Sequence, residues 1–175
     1  MADVTFNTKE KQTIDRELLL LFLNTGEAAQ PVWSPVGKRV SDSSMEYDWS
    51  EESYTDILGD NYTDLSKPKI TQNFDPWNLA AGDPAQLKLW KDSIKNHDTN
   101  AMANNDMLIV HAYAGSAENA FFAERYSSCT VKPNSLGGAG GGKLAMPVNV
   151  AYGGTRTLGT AALADGTVTF TPEAA

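Results

Sequence analysis

Between Val40 and Ser66 the chain has no Lys or Arg, yet it carries eight acids: Asp42, Glu46, Asp48, Glu51, Glu52, Asp56, Asp60 and Asp64. The other fourteen of its twenty-two acids are matched by fourteen bases, so the net charge of −8 is the property of this one segment. The segment also alternates. Met45, Tyr47 and Trp49 fall on one side of an extended chain, and Glu46, Asp48 and Ser50 on the other. A period of two with aromatics predicts a half-buried β-strand with an anionic outer face. Gly59-Asp60-Asn61 marks a turn, and Ile70, Gln72 and Phe74 alternate in a returning strand, so a long hairpin is expected over about 40–75. The acids do not have calcium-loop spacing: Asp56, Asp60 and Asp64 are four apart, whereas an EF-hand places ligands at every second residue around a central Gly.

The rest of the 175 residues reads mainly as β-structure. Leu18 to Leu23 is an apolar run of strand length closed by Asn24-Thr25-Gly26. In Val32 to Val36, Trp33 has a Pro on either side, Pro31 and Pro35, which suits an edge strand or a turn rather than a sheet centre. Further strands are expected at Met107–Ala114, Asn119–Val131, Leu144–Ala151 and Gly166–Thr171. One helix is expected from Pro84 to about Asn96. Asp83 is placed to cap it, Pro84 suits its first position, and Gln86 is placed for a capping box. Leu87, Trp90 and Ile94 would form its buried stripe, with Lys88, Lys91 and Lys95 toward water. With 41% hydrophobic and 21% charged residues a core can form. The fold class expected is mainly β, an antiparallel β-sandwich or barrel of seven or eight strands with one flanking α-helix. The domain layout expected is an N-terminal arm at 1–13, a single β domain over 14–171 and a tail at 172–175.

Composition and motifs argue against most chemistries. An acidic chain with pI near 4.7 is poorly suited to neutralising phosphates. One cysteine, Cys129, permits neither an internal disulfide nor a Cys-cluster zinc site, and two histidines leave little for a His-rich one. Gly137 to Lys143 matches the start of a phosphate loop, but Leu144 stands where Ser or Thr must hold magnesium. The following residues also read as a strand, whereas the phosphate site needs a helix N-terminus. His111 reads as a satisfied sheet residue, His97 as a complement to the helix dipole, and Cys129 as a small strand residue. The carboxylate pair Glu51-Glu52 implies no pocket, and the Asn61-Tyr62-Thr63 sequon has no secretory signal to give it weight. The expectation is no enzyme, no cofactor and no metal. The first residues lack the basic and apolar stretches of a signal peptide, and no apolar run reaches the ~20 residues of a membrane helix. A soluble protein made or assembled in a cytoplasm, without membrane contact, is expected.

The order of these pieces is familiar. The stretch from Val36 to Asp60, the return strand ending Phe74-Asp75-Pro76, the Asp83-Pro84 helix, and Asn134 to Lys143 before a strand together resemble the major tail tube protein of long-tailed bacteriophages. The resemblance runs from about Leu18 to Phe170, and related tubes occur in contractile tails, tail-like bacteriocins and injection machines. It implies a structural virion protein that assembles in the host cytoplasm into hexameric rings. The rings stack into a hollow tube around a tape-measure protein, next to tail terminator and distal tail proteins, and double-stranded DNA passes through without sticking. Hairpin and termini would bridge subunits. Under this reading Glu46, Asp48, Glu51 and Glu52 are candidates for the lumen or for contacts between rings. Lys38, Arg39 and Arg125 are candidate inter-subunit bases. The alternative is an acidic β-sandwich that binds a cell-surface carbohydrate or a cation, with Trp33, Trp49 and Trp77 available for sugar stacking.

Overall fold

The leucine run becomes the strand around which the domain is organised. In a computed structural model describing residues 4–7, 11–117 and 119–174, Arg16–Leu18 form a 3-10 turn that leads into β2 (Leu19–Asn24). Before it comes a two-residue strand, β1 (Thr5–Phe6), and after it the edge strand β3 (Trp33–Val36). The acidic segment supplies β4 (Met45–Asp48), β5 (Glu51–Thr55) and β6 (Asn61–Leu65), and β7 (Lys69–Phe74) returns. Helix α1 (Pro84–Trp90) runs into a π-turn, Lys91–Lys95, and a short helix α2 (Thr99–Ala103) follows. The C-terminal half holds β8 (Asn105–Ala117), β9 (Ala120–Pro133), β10 (Val148–Tyr152), β11 (Arg156–Ala164) and β12 (Thr167–Pro172).

Every pairing is antiparallel, and the main path runs β3-β2-β8-β9-β10-β7-β4. β9 is long enough to serve two sheets on one flank. Its Phe121–Tyr126 portion pairs β11, which carries β12, and its Thr130–Pro133 portion pairs β10. That division folds the β10-β7-β4 sheet against the larger one. Between them Leu21, Leu23, Phe74, Met107, Ile109, Val131, Met146, Val148 and Val150 are buried, with Trp77 and Leu89 closing the helical side. A second cluster gathers Phe22, Leu108, Val110 and Ala123 with Trp33, Ala161 and Val168, so the central strands are covered on both faces. The continuous apolar character of Leu18 to Leu23 follows from that double burial.

The mainly antiparallel β fold agrees with the sequence reading, and four local details differ. The structure has twelve strands among the described residues, where seven or eight were expected; β1, β5, β6, β11 and the short α2 were not expected. The signal for β11 is present in the sequence: Asp165-Gly166, both at positive φ, is the two-residue turn that joins it to β12. The strand expected from Leu144 starts at Val148. Asp83 does cap α1, accepting from the amides of Ala85 (3.0 Å) and Gln86 (3.1 Å), but Gln86 forms no capping box. Its side chain is drawn under the helix, donating to the Asn78 carbonyl and accepting from the Ala80 amide, and it is buried there. Leu87 is exposed; Ala85 and Leu89 face the core in its place, because helix and sheet meet one residue around the turn from the expected stripe.

Candidate assembly surface

The long hairpin is really two. β4 is the outermost strand of the β10-β7-β4 sheet, paired along β7 with Glu46 opposite Thr71 and Asp48 opposite Lys69. Beyond Trp49 and Ser50 the ladder is carried only by a Ser66 amide to Ser50 carbonyl bond (2.9 Å), and β5 and β6 then pair as a separate two-stranded sheet. All ten residues of β5 and β6 are exposed. What holds this ribbon is local. Ser53 and Thr63 hydroxyls bond at 3.0 Å, Tyr54 and Tyr62 rings stack at 5.7 Å, and Thr55 donates to Asn61 at 2.7 Å. At the tip the Asp56 carboxylate accepts from the Leu58 and Asp60 amides, and Gly59 takes the positive φ that the turn requires. An isolated two-stranded hairpin is marginal in water. This one also exposes Trp49, Tyr54, Tyr62 and Leu65, and its tip holds Ile57 and Leu58 wholly in solvent, Ile57 at 102% relative exposure.

The four acids singled out from the sequence are exposed but do not share one face. Glu46 and Asp48 lie on the side of β4 opposite Met45, which packs on the core. In the ribbon, Glu52 shares a face with Tyr54, Tyr62 and Asp64, while Glu51 shares the other with Leu65 and Ser53. Glu52 stands directly opposite Asp64, a like-charge pair that costs stability unless something positive sits between them. Among the described residues no ion pair involves Glu46, Asp48, Glu51 or Glu52. Lys38 and Arg39 are exposed in the turn after β3, Arg39 at φ 66°. Arg125 is held within the chain: it donates to both Asp106 oxygens, at 2.9 and 2.6 Å, and lies over the Trp33 ring.

The other charged cluster sits in the wall of the large sheet and was not read from the sequence. Glu124 on β9 is 6% exposed. It accepts from Arg156 Nε of β11 at 2.6 Å, from the Tyr126 hydroxyl at 3.0 Å and from His111 Nε2 of β8 at 2.9 Å. With Nε2 donating, Nδ1 of His111 accepts from the Tyr113 hydroxyl at 2.7 Å. Burial alone would raise the Glu124 pKa; hydrogen bonds from His111 and Arg156, and then the Arg156 charge, overcome it and bring the carboxyl to about 2. Burial first, then the Glu124 charge, raises the phenols of Tyr47, Tyr113 and Tyr126. His111 is the satisfied sheet histidine expected. The one acid of that strand, directly after the apolar run Ala120 to Ala123, was the available signal. Cys129 is buried, and its thiol is pushed up to about 12, chiefly by burial, which suits an inert core residue. Trp33 and Trp77 are buried anchors and offer no ring for sugar stacking; Trp49 alone of the three is exposed. Among the described residues no group of three or more His, Cys, Asp or Glu gathers as a metal site, and no helix is long and apolar enough to cross a membrane.

Comparison with solved structures gives this architecture a context. The chain is similar to the sheath/tube terminator of the extracellular contractile injection system PVC in its extended state, with a TM-score of 0.50 and 12% identity over 86% of this chain and 99% of that one. It is equally similar to a chain of the PVC sheath-tube complex in the extended state, with a TM-score of 0.50 and 8% identity over 86% and 94%. The fold is tail-tube-related. The tube-terminating cap of the anti-feeding prophage aligns over 88% of this chain and 95% of that one at 12% identity and a TM-score of 0.49. No protein-family model matches the sequence, and no curated protein matches it. Among the described residues, the exposed ribbon and the outer edges of β1, β3, β4 and β12 have no intrachain partner strand.

Proposed function

We propose that the chain is a structural, non-catalytic subunit of a phage tail or tail-like particle, closing with identical copies into hexameric rings that stack as a hollow tube. The observation that carries this reading is the β5-β6 ribbon, which has no core of its own and presents Tyr54, Ile57, Leu58, Tyr62 and Leu65 to solvent. Such an element gains stability by docking on another subunit, and open strand edges that would template aggregation in a monomer are consumed when a ring closes. The tail-tube-related fold supports the same conclusion.

The acids fit two places in that tube. Lumenal Glu46 and Asp48 would repel phosphate and let double-stranded DNA slide past, with a tape-measure protein occupying the bore before delivery. Glu51 and Glu52, on opposite faces of the ribbon, would meet bases of a neighbour. Lys38 and Arg39 are exposed for that role, whereas Arg125 is already bonded to Asp106. The particle would be assembled in a host cytoplasm alongside terminator and distal tail proteins.

A second reading, that the chain forms the single ring ending a tube, is favoured by its match over 99% of the PVC sheath/tube terminator. One experiment separates these readings from each other and from failure. The purified chain is concentrated stepwise and followed by size-exclusion chromatography and negative-stain microscopy. Filaments are expected for a tube subunit and lone rings that never grow for a terminator. A monomer at every concentration, absent also from particle fractions, refutes both.

A further inference from the structure

Where helix α1 meets the start of β8, an amine, a carboxamide and a carboxylate lie in contact. Lys88, expected toward water, turns inward: its Nζ donates to Asp92 Oδ2 at 2.8 Å and to Asn105 Oδ1 at 3.1 Å. Asn105 is 1% exposed, and its Nδ2 donates to the Ala101 and Met102 carbonyls, both at 3.1 Å. Those two bonds fix the plane of its amide, whose carbonyl then faces the lysine. Asp92 stands four residues after Lys88, within the π-turn, so helix geometry alone brings the two together. Their side chains are 29% and 19% exposed, which limits the access of water without closing it off.

These are the three groups that an amide exchange needs: a nucleophile, an acyl donor and a carrier for protons. The carbonyl bond adds about 1.2 Å to the 3.1 Å contact, so Asn105 Cγ lies within about 4.3 Å of Nζ. Rotation about the last bonds of the lysine side chain moves Nζ from beside Oδ1 to over Cγ. Well-oriented intramolecular groups react as though at concentrations of up to roughly 10⁵–10⁸ M. The bond has to form only once in each molecule, so a step far slower than enzymatic turnover is sufficient.

We propose that Lys88 and Asn105 join in an intramolecular isopeptide bond that ties α1 to β8 once the chain has folded. Asp92 takes a proton from the Lys88 ammonium as general base. The freed amine adds to Cγ, forming the new C–N bond while the carbonyl π electrons move onto Oδ1. The carbonyl then re-forms and the Cγ–Nδ2 bond breaks. Of the three protons on Nζ, one stays as the new amide N–H, and two pass through Asp92 to Nδ2, which leaves as ammonium. Asp92 ends as it began, and no oxidant, reductant or second substrate is consumed. The Ala101 and Met102 carbonyls that hold Nδ2 accept from the ammonium as it departs, and the partial exposure of Lys88 gives it a way out. The product closes the π-turn and α2 into a covalent loop, which restricts the unfolded chain. Because the tie lies within one subunit, it stands or falls independently of assembly.

The test is intact-mass spectrometry of the unaltered full chain, folded and held at neutral pH until its mass is constant. It is expected to be lighter than its sequence by one ammonia. Tryptic digestion is expected to give a branched peptide that joins the Lys88 and Asn105 segments, with no cleavage after Lys88. Lys88→Arg keeps a cation beside Asp92 but cannot form the bond, and is expected at full mass. Asp92→Asn keeps the shape without the proton carrier and is expected to react at least about 100-fold more slowly; an equal rate overturns the role given to Asp92. A folded chain at full sequence mass overturns the proposal. So does an ammonia loss that persists in Lys88→Arg, since it then arises at another amide. Where a variant fails to fold, the unaltered chain decides alone: the branched peptide supports the bond, and its absence overturns it.

Discussion

Two sets of carboxylates in this chain have opposite surroundings. Glu124 is buried in the wall and has a guanidinium, an imidazole and a phenol pointed at it. Glu52 and Asp64 are exposed, face each other across the ribbon and have no base bonded to them. The first is architecture, since its charge is matched by β8, β9 and β11 of the same chain. The second is a charge left open by the fold, and matching it is a task for water, a neighbour or a polyanion kept at a distance. The difference teaches where this molecule ends as a folding unit and where its surface for others starts.

That contrast can be attacked from the wall outward, in order of the expected effect on the subunit's own stability. Glu124→Gln should lower unfolding free energy at neutral pH by about 3 kcal/mol, read from urea melts, because Arg156 loses its counter-charge and His111 its charged acceptor. The pH dependence has a definite sign. A carboxyl held at about 2 when folded and near 4.5 when unfolded adds stability that is complete above roughly pH 5 and fades as pH falls toward 2. Melts of the parent chain at pH 3 and pH 7 should therefore differ more than those of Glu124→Gln, and equal differences would remove Glu124 as the cause. Next in size, Asp83→Ala should cost about 1 kcal/mol by uncapping α1, measured as a shift in the thermal midpoint.

The ribbon should behave in the reverse way. Glu52→Gln relieves the repulsion from Asp64 and should raise stability by a few tenths of a kcal/mol, with a weaker salt dependence than the parent. Ile57→Asp together with Leu58→Asp should leave the melt within about 0.5 kcal/mol, since neither side chain touches a core. Sedimentation and microscopy should nonetheless show assembly abolished. If that double variant assembles normally, the ribbon tip is not a docking element, and the comparison between wall and ribbon loses its functional half.

Much of the fold was legible because it rests on short-range physics. The Leu18 to Leu23 run, the Trp33 edge strand between prolines, the Asp83-Pro84 helix start and the alternation at Met45 to Asp48 each express a local preference. β11 was missed because Thr157 to Ala162 is small and weakly patterned, although Asp165-Gly166 announced its hairpin. Leu87 was misassigned because a helix stripe one position out of phase looks identical until the sheet it faces is known.

By itself the sequence determined that this is an acidic, mainly β chain whose whole excess of charge sits in one hairpin, since composition and period are properties of the string. Only the tertiary structure decided that Glu124 is matched and Glu52 is not, that Arg125 belongs to Asp106, and that the hairpin breaks into a sheet edge and a free ribbon. Each of those depends on which strands lie side by side, and antiparallel pairing brings together residues as far apart as Glu124 and Arg156. No local pattern encodes that distance.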